Sequence, residues 1–315
     1  MDTVLENTPK RRLPLLVLGV FLLTIIAVVL RTVNLFLFYD AKIEYFSVGE
    51  PLPLIMNIFL AVASVAIAVG AFVFSKERYV ADGTEKGIAL KIASLICALA
   101  SLFPFYVIVK NVLTLPYLQP SVITLAFLVI FALSAIYFAM NFISKTLKAQ
   151  AIFVIAVILS LTYFLANSYF DLYTPMNSPA KTIMHLACVS SMIFFVSEAR
   201  CIIGEAKRRF YVFALSAAVF FSGVSSIPSI ISFACKKLDY NYIAFDVVIL
   251  AVFIYLSVRL VYLITAKEKT VANTTEEDSI SSDISDENSS EEASENEAIV
   301  EEDDIATITT EEEND

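Results

Sequence analysis

Tryptophan is missing from this chain of 315 residues, histidine occurs once, cysteine four times and glycine seven times, and only 17% of the residues are charged. Each scarcity removes a class of chemistry. One His and the widely spaced Cys97, Cys188, Cys201 and Cys235 offer no CxxC or HExxH spacing, so neither a metal site nor a cofactor is expected. No two cysteines fall in predicted external segments, which argues against a disulfide framework. Glycine is too sparse for a phosphate-cradling loop. Gly19, Gly70 and Gly223 lie inside apolar runs, too few to resemble the interrupted helices of many ion-coupled transporters. With no clustered acid, base or nucleophile and no room for a soluble domain between the apolar runs, the chain is expected not to be an enzyme. No nucleic-acid partner is expected either.

Apolar surface is what the chain has in excess. Hydrophobic residues make up 58% of it and the mean hydropathy is +0.76, outside the range of an ordinary soluble domain. A bilayer core about 30 Å thick needs roughly 20 apolar residues per helix, because backbone groups in lipid must be hydrogen-bonded within their own segment. Eight stretches meet or approach that length, at 13–38, 52–75, 88–109, 121–143, 149–167, 182–196, 211–234 and 242–264, the sixth being the shortest. The expected fold is therefore an all-α integral membrane protein of about eight transmembrane helices, in direct contact with the lipid bilayer. It divides into a short basic N-terminus at 1–12, a polytopic domain at 13–265 and a tail at 266–315. Lys10, Arg11 and Arg12 precede the first run, but that run is too long for a signal-peptide core and is read as a retained helix.

Charge orients these helices. Loops on the N-terminal side hold 14 of the Lys and Arg residues that lie outside spans, among them Lys10, Arg78, Lys145, Arg208 and Lys267, against five on the other side, Lys42, Lys110, Lys181, Lys236 and Lys237. By the positive-inside rule both termini are cytoplasmic, which requires an even number of spans. A bacterial plasma membrane fits this pattern best. In the absence of Trp, interfacial anchoring falls to Tyr, with Tyr39, Tyr45 and Tyr169 at external ends and Tyr79, Tyr211 and Tyr262 at internal ends; no ligand role is expected for these residues.

The formal net charge of −10 belongs to the tail. Of 32 carboxylates, 18 lie in 276–315, a stretch without Lys or Arg, so the preceding 275 residues carry 14 acidic and 22 basic groups. From residue 270 onward Ser, Thr, Asn and acid dominate, a composition that cannot offset ordering entropy and predicts disorder. Such a segment can hold a basic protein partner, cations or phosphate groups.

The first and last four spans share an order of features. Ala27 to Leu30 leading to Tyr39 and Asp40 resembles Ala156 to Leu159 leading to Tyr169 and Asp171. Ile55-Met56-Asn57 resembles Ile183-Met184-His185, and Ser101 and Pro104 match Ser225 and Pro228. Two parallel four-helix repeats, 13–143 and 149–265, would follow, as in parallel-repeat transporters.

Ionisable groups inside spans are the candidate functional residues. Arg31 lies 18 residues from the cytoplasmic edge, roughly 27 Å along a helix, and Asp246 and His185 lie at most about 10 Å below the external edge. Arg31, His185 and Asp246 thus share one external layer, where an Arg31 to Asp246 pair is within reach and where an unidentified small solute could bind. Ser222, Ser225, Ser226, Ser229 and Ser232 recur around Pro228 at three- and four-residue spacing, a small polar face suited to close helix packing or to a solute-facing wall. Glu198 and Arg259 read as boundary residues at the cytoplasmic ends of their spans. Two function classes remain: a membrane scaffold or regulatory module acting through the acidic tail, and a small-solute transporter or permease.

Overall fold

The computed structural model describes residues 12–40, 45–46, 49–75, 87–114, 122–143, 150–170, 178–203, 207–236 and 243–282. Among these the chain forms eight α-helices and one short hairpin. The helices are α1 (Arg12–Leu37), α2 (Pro51–Phe74), α3 (Ile88–Thr114), α4 (Val122–Ile143), α5 (Gln150–Phe170), α6 (Pro179–Ile203), α7 (Arg208–Ala234) and α8 (Ile243–Ser282). All eight are long and apolar enough to cross a membrane. The hairpin follows α1 and pairs β1 (Tyr39–Asp40) antiparallel with β2 (Tyr45–Phe46), Tyr39 opposite Phe46, their rings edge to face at 5.7 Å. The chain divides into two units, Met1–Glu268, which holds the bundle, and Lys269–Asp315.

The polarity of the bundle is inverted relative to a soluble protein. Leu15, Leu18, Leu22 and Ile25 on α1 and Leu54, Ile58, Val62 and Val65 on α2 are exposed, while Thr24, Arg31, Asn34, Ser94, Ser101 and Ser134 are buried. An apolar exterior of this extent is unfavourable in water and favourable in hydrocarbon. Successive helices alternate in direction, and α7 lies deepest, against α1, α2 and α6. α8 joins it in the interior; between 243 and 264 only Val261 is exposed. Gly223 makes that crowding feasible. A Cβ there would lie 2.8 Å from both Thr24 on α1 and Phe253 on α8, so the α1, α7 and α8 crossing closes only over a hydrogen atom.

Aromatic rings fill the rest of the interior around α8. Phe164 on α5 packs on Phe245 at 4.5 Å and on Phe131 of α4 at 5.5 Å. Nearer the other end, Tyr255 packs on Phe138 of α4 at 5.5 Å and lies parallel to Phe195 of α6 at 6.4 Å. Such pairs add about 0.5–1.5 kcal/mol each beyond area burial. The Cys97 thiol on α3 donates to the Ala251 carbonyl of α8 at 3.1 Å.

Two element boundaries differ from expectation. α6 covers Pro179–Ile203 where the hydropathy pattern predicts 182–196, because Lys181 and Glu198, which end the apolar run in sequence, are both buried within the bundle. α8 carries helical backbone to Ser282, past the expected limit at 265; an existing helix extends through Ala, Lys and Glu without the cost of a new nucleus. The tail beyond Ser282, and the loop cations at 76–86 and 144–149 that support the orientation, lie outside the described residues.

Candidate functional site

Polar groups concentrate at two levels of the bundle. One lies at the end where α6 finishes, α7 begins and the apolar part of α8 finishes. There Arg259 Nη2 lies 2.6 Å from Glu198 Oε1, the Tyr211 hydroxyl donates to Glu198 Oε2 at 2.7 Å, and Arg259 Nε donates to the Tyr211 oxygen at 3.1 Å. The ring is closed: one carboxylate, one guanidinium and one phenol satisfy one another across α6, α7 and α8. The Arg259 and Glu198 side chains are 14% and 5% exposed, so the pair is shielded from solvent and from screening. Phe194 lies against Tyr211 at 5.6 Å and fixes the phenol. Glu198 sits five residues before the end of α6 and Tyr211 three residues after the start of α7, so the ring lies within about 5–8 Å of the helix ends.

This cluster was missed by reading spans one at a time. Glu198 and Arg259 read as interfacial charges and Tyr211 as a belt residue, yet Tyr211 is 2% exposed and holds both. The available signal was that two opposite charges sit at matching depth in spans six and eight. At the same end Arg209 Nε donates to the Ser75 carbonyl at the close of α2, at 3.0 Å, which ties α2 to α7.

The second level holds the residues singled out in the sequence, at the opposite end. Arg31 is 3% exposed, and its Nη1 donates to the Val224 carbonyl of α7 at 2.8 Å. Val224 is four residues before Pro228, which lies inside α7 and has no N–H to offer that carbonyl. Arg31 therefore supplies the donor that the proline removes. His185 is half-buried, with Nε2 3.2 Å from the Ser168 hydroxyl of α5. Asp246, in the first turn of α8, is 1% exposed and lies within electrostatic range of Cys188 on α6. Lys181, assigned by hydropathy to an external loop, is buried in the first turn of α6. Arg31, His185 and Asp246 thus share an end of the bundle.

The serine face is buried throughout: Ser222, Ser225, Ser226, Ser229 and Ser232 are at most 5% exposed. Ser222 donates to the Ala218 carbonyl, Ser226 to Ser222 at 2.7 Å and Ser229 to Ser225 at 2.9 Å. These three hydroxyls thus fold back on their own helix four residues earlier, whereas the buried Ser232 hydroxyl makes no hydrogen bond. The back-bonds satisfy Ser222, Ser226 and Ser229 within α7 and leave a slim surface against which neighbours pack.

No protein-family profile, curated protein or solved structure matches the chain. Function therefore has to be argued from these residues alone.

Proposed function

We propose that this chain is a non-enzymatic, multi-pass membrane protein that acts as a scaffold or regulatory module, with its acidic C-terminal segment engaging a basic protein partner. The observation that carries the reading is the segregation of charge: residues 276–315 hold 18 carboxylates and no Lys or Arg, joined to a body whose ionisable groups are spent on helix contacts. Glu198, Arg259 and Tyr211 are engaged with one another, and Arg31 with a backbone carbonyl. A groove of about 340 Å³ between α1 and α2 is lined by Leu16, Leu23, Ala66, Gly70 and other apolar groups, a surface for hydrocarbon rather than for a polar solute. In this reading both termini are cytoplasmic and the membrane is a bacterial plasma membrane.

Deleting residues 270–315 tests it. Cross-linking in native membranes should recover a basic protein with the full chain and not with the truncated one, and recovery should fall as salt is raised, since exposed charges more than a Debye length apart are screened. The same partners recovered at the same yield after truncation would overturn the reading.

One observation favours a small-solute transporter instead. Arg31, Lys181 and Asp246 are all buried at one end, and intramembrane charges are costly enough to mark solute pathways. The four-plus-four repeat belongs to that alternative. It makes α3 the counterpart of α7, and its support would be equivalent surroundings; α7 packs on α1, α2 and α6, and α3 on α4.

A further inference from the structure

The groove of about 340 Å³ between α1 and α2 runs from Leu15 to Leu23 on one helix and from Phe74 back to Ala66 on the other, about 12 Å along each axis. Every side chain that lines it is apolar. Two glycines give it depth. Nothing lies within 4 Å of where a Gly19 Cβ would stand, and a Cβ at Gly70 would come 2.9 Å from Leu16. Leu15, Leu18 and Leu22 stand along the α1 edge, each more than half exposed. One end of the groove is basic. Arg12 opens α1 one turn before Leu15 and follows Lys10 and Arg11 in the chain. Ser75, next to Phe74, accepts from Arg209 Nε at 3.0 Å, which brings the run Lys207-Arg208-Arg209 at the start of α7 to the same end. The other end, at Leu23 and Ala66, lies midway along the apolar length of both helices.

An apolar slot that starts among cations at the end of a bundle and finishes halfway along its helices has the layout of a phospholipid, with the head group at the surface and the chain parallel to the spans. We propose that this groove holds one acyl chain of an anionic phospholipid, whose phosphate lies among the cations at the starts of α1 and α7. Both helix N-termini add partial positive charge at that level. A second copy of this chain is the poorer occupant. In the same membrane and the same orientation it would bring its own two basic runs against these, whereas an anionic head group neutralises them. The inference rests on the chain lying in a membrane, which the scaffold and transporter readings share.

The chain has no Trp, so a single Trp can serve as reporter. Val69→Trp places it beside Gly70 at an exposed position of α2, and Ile152→Trp places a control at an exposed position of α5. Each full-length variant is reconstituted in dioleoyl phosphatidylcholine nanodiscs with a minor fraction of phosphatidylcholine or phosphatidylglycerol carrying brominated chains, which quench Trp on contact. At low salt brominated phosphatidylglycerol should quench the Val69→Trp reporter several-fold more than brominated phosphatidylcholine, while the two quench the control alike. Adding Gly19→Leu fills the slot at a position where a Cβ has room, and should bring the two lipids level at residue 69. Equal quenching by both lipids at residue 69, a preference of the same size at residue 152, or a preference that survives Gly19→Leu would overturn the proposal. Weak quenching by both at residue 69 would also overturn it, and would point to a second copy shielding the reporter. Quenching of the Ile152→Trp control by either lipid establishes separately that the chain lies in the bilayer, so a missing lipid preference is distinct from failure of the membrane reading.

Discussion

Arg31 on α1 completes a hydrogen bond that Pro228 on α7 cannot make. The proline leaves the Val224 carbonyl without its intrahelical donor, and the Arg31 guanidinium reaches it at 2.8 Å. A charged residue in the membrane interior is costly, and so is an orphaned carbonyl; placed together, each relieves the other. The pair ties α1 to α7 at one height.

Replacing Arg31 by Met should therefore lower stability by about 1–3 kcal/mol, the cost of stranding a buried acceptor. In a Pro228→Ala background α7 regains an N–H for Val224, so the same replacement should cost less. Melting temperatures of the four proteins in a double-mutant cycle check this; additive effects would show that Arg31 acts elsewhere.

The Glu198, Tyr211 and Arg259 ring carries a different signature. Glu198→Gln or Arg259→Met alone should destabilise by about 3–5 kcal/mol, because each leaves a buried charge uncompensated. The double replacement should cost less than the sum. Tyr211→Phe keeps the pair and loses two hydrogen bonds, so its effect should be smaller, about 1–3 kcal/mol. Unfolding in a graded detergent series ranks the four variants.

Gly223→Ala should destabilise by about 1–3 kcal/mol through overpacking, since its Cβ would meet Thr24 and Phe253 at 2.8 Å. Gly19→Ala is the matched control. Nothing lies within 4 Å of a Cβ there, and alanine favours the helix, so stability should be unchanged or slightly raised. Equal losses at both positions would refute the packing argument.

Cysteine accessibility tests the orientation. Cys235 is exposed at the end of α7, while Cys97, Cys188 and Cys201 are buried. An impermeant maleimide added to intact cells should label the protein at one position, and Cys235→Ser should abolish the labelling. Modification only after the cells are broken open would invert the assigned topology.

The existence of eight apolar helices was legible in the sequence because each apolar run meets or approaches the length that a bilayer would require of a span. The serine face was legible too, since spacing alone places Ser222, Ser225, Ser226 and Ser229 together, although which of its two readings applies depends on where each hydroxyl donates. The far end of α6 was not. The apolar run stops short of Glu198, whose burial is made tolerable by Tyr211 and by Arg259, 61 residues later. Tyr211 was misread for the same reason, because a phenol at a span end looks like an interfacial anchor until its partners on other helices are known. Long-range pairing of this kind leaves no periodic trace in a single chain.

On the scaffold reading the buried polar groups hold helices together and do not receive a solute. Thermal stability of the detergent-purified full-length protein, measured against a broad panel of ions, metabolites and lipid head groups, tests it most directly, because any ligand that binds the native state raises apparent stability by mass action. No small solute should show a stabilising effect that depends on Arg31 or Asp246. A reproducible stabilisation by one solute, abolished by Asp246→Asn in a protein that still folds, would contradict it and establish the transporter reading in its place.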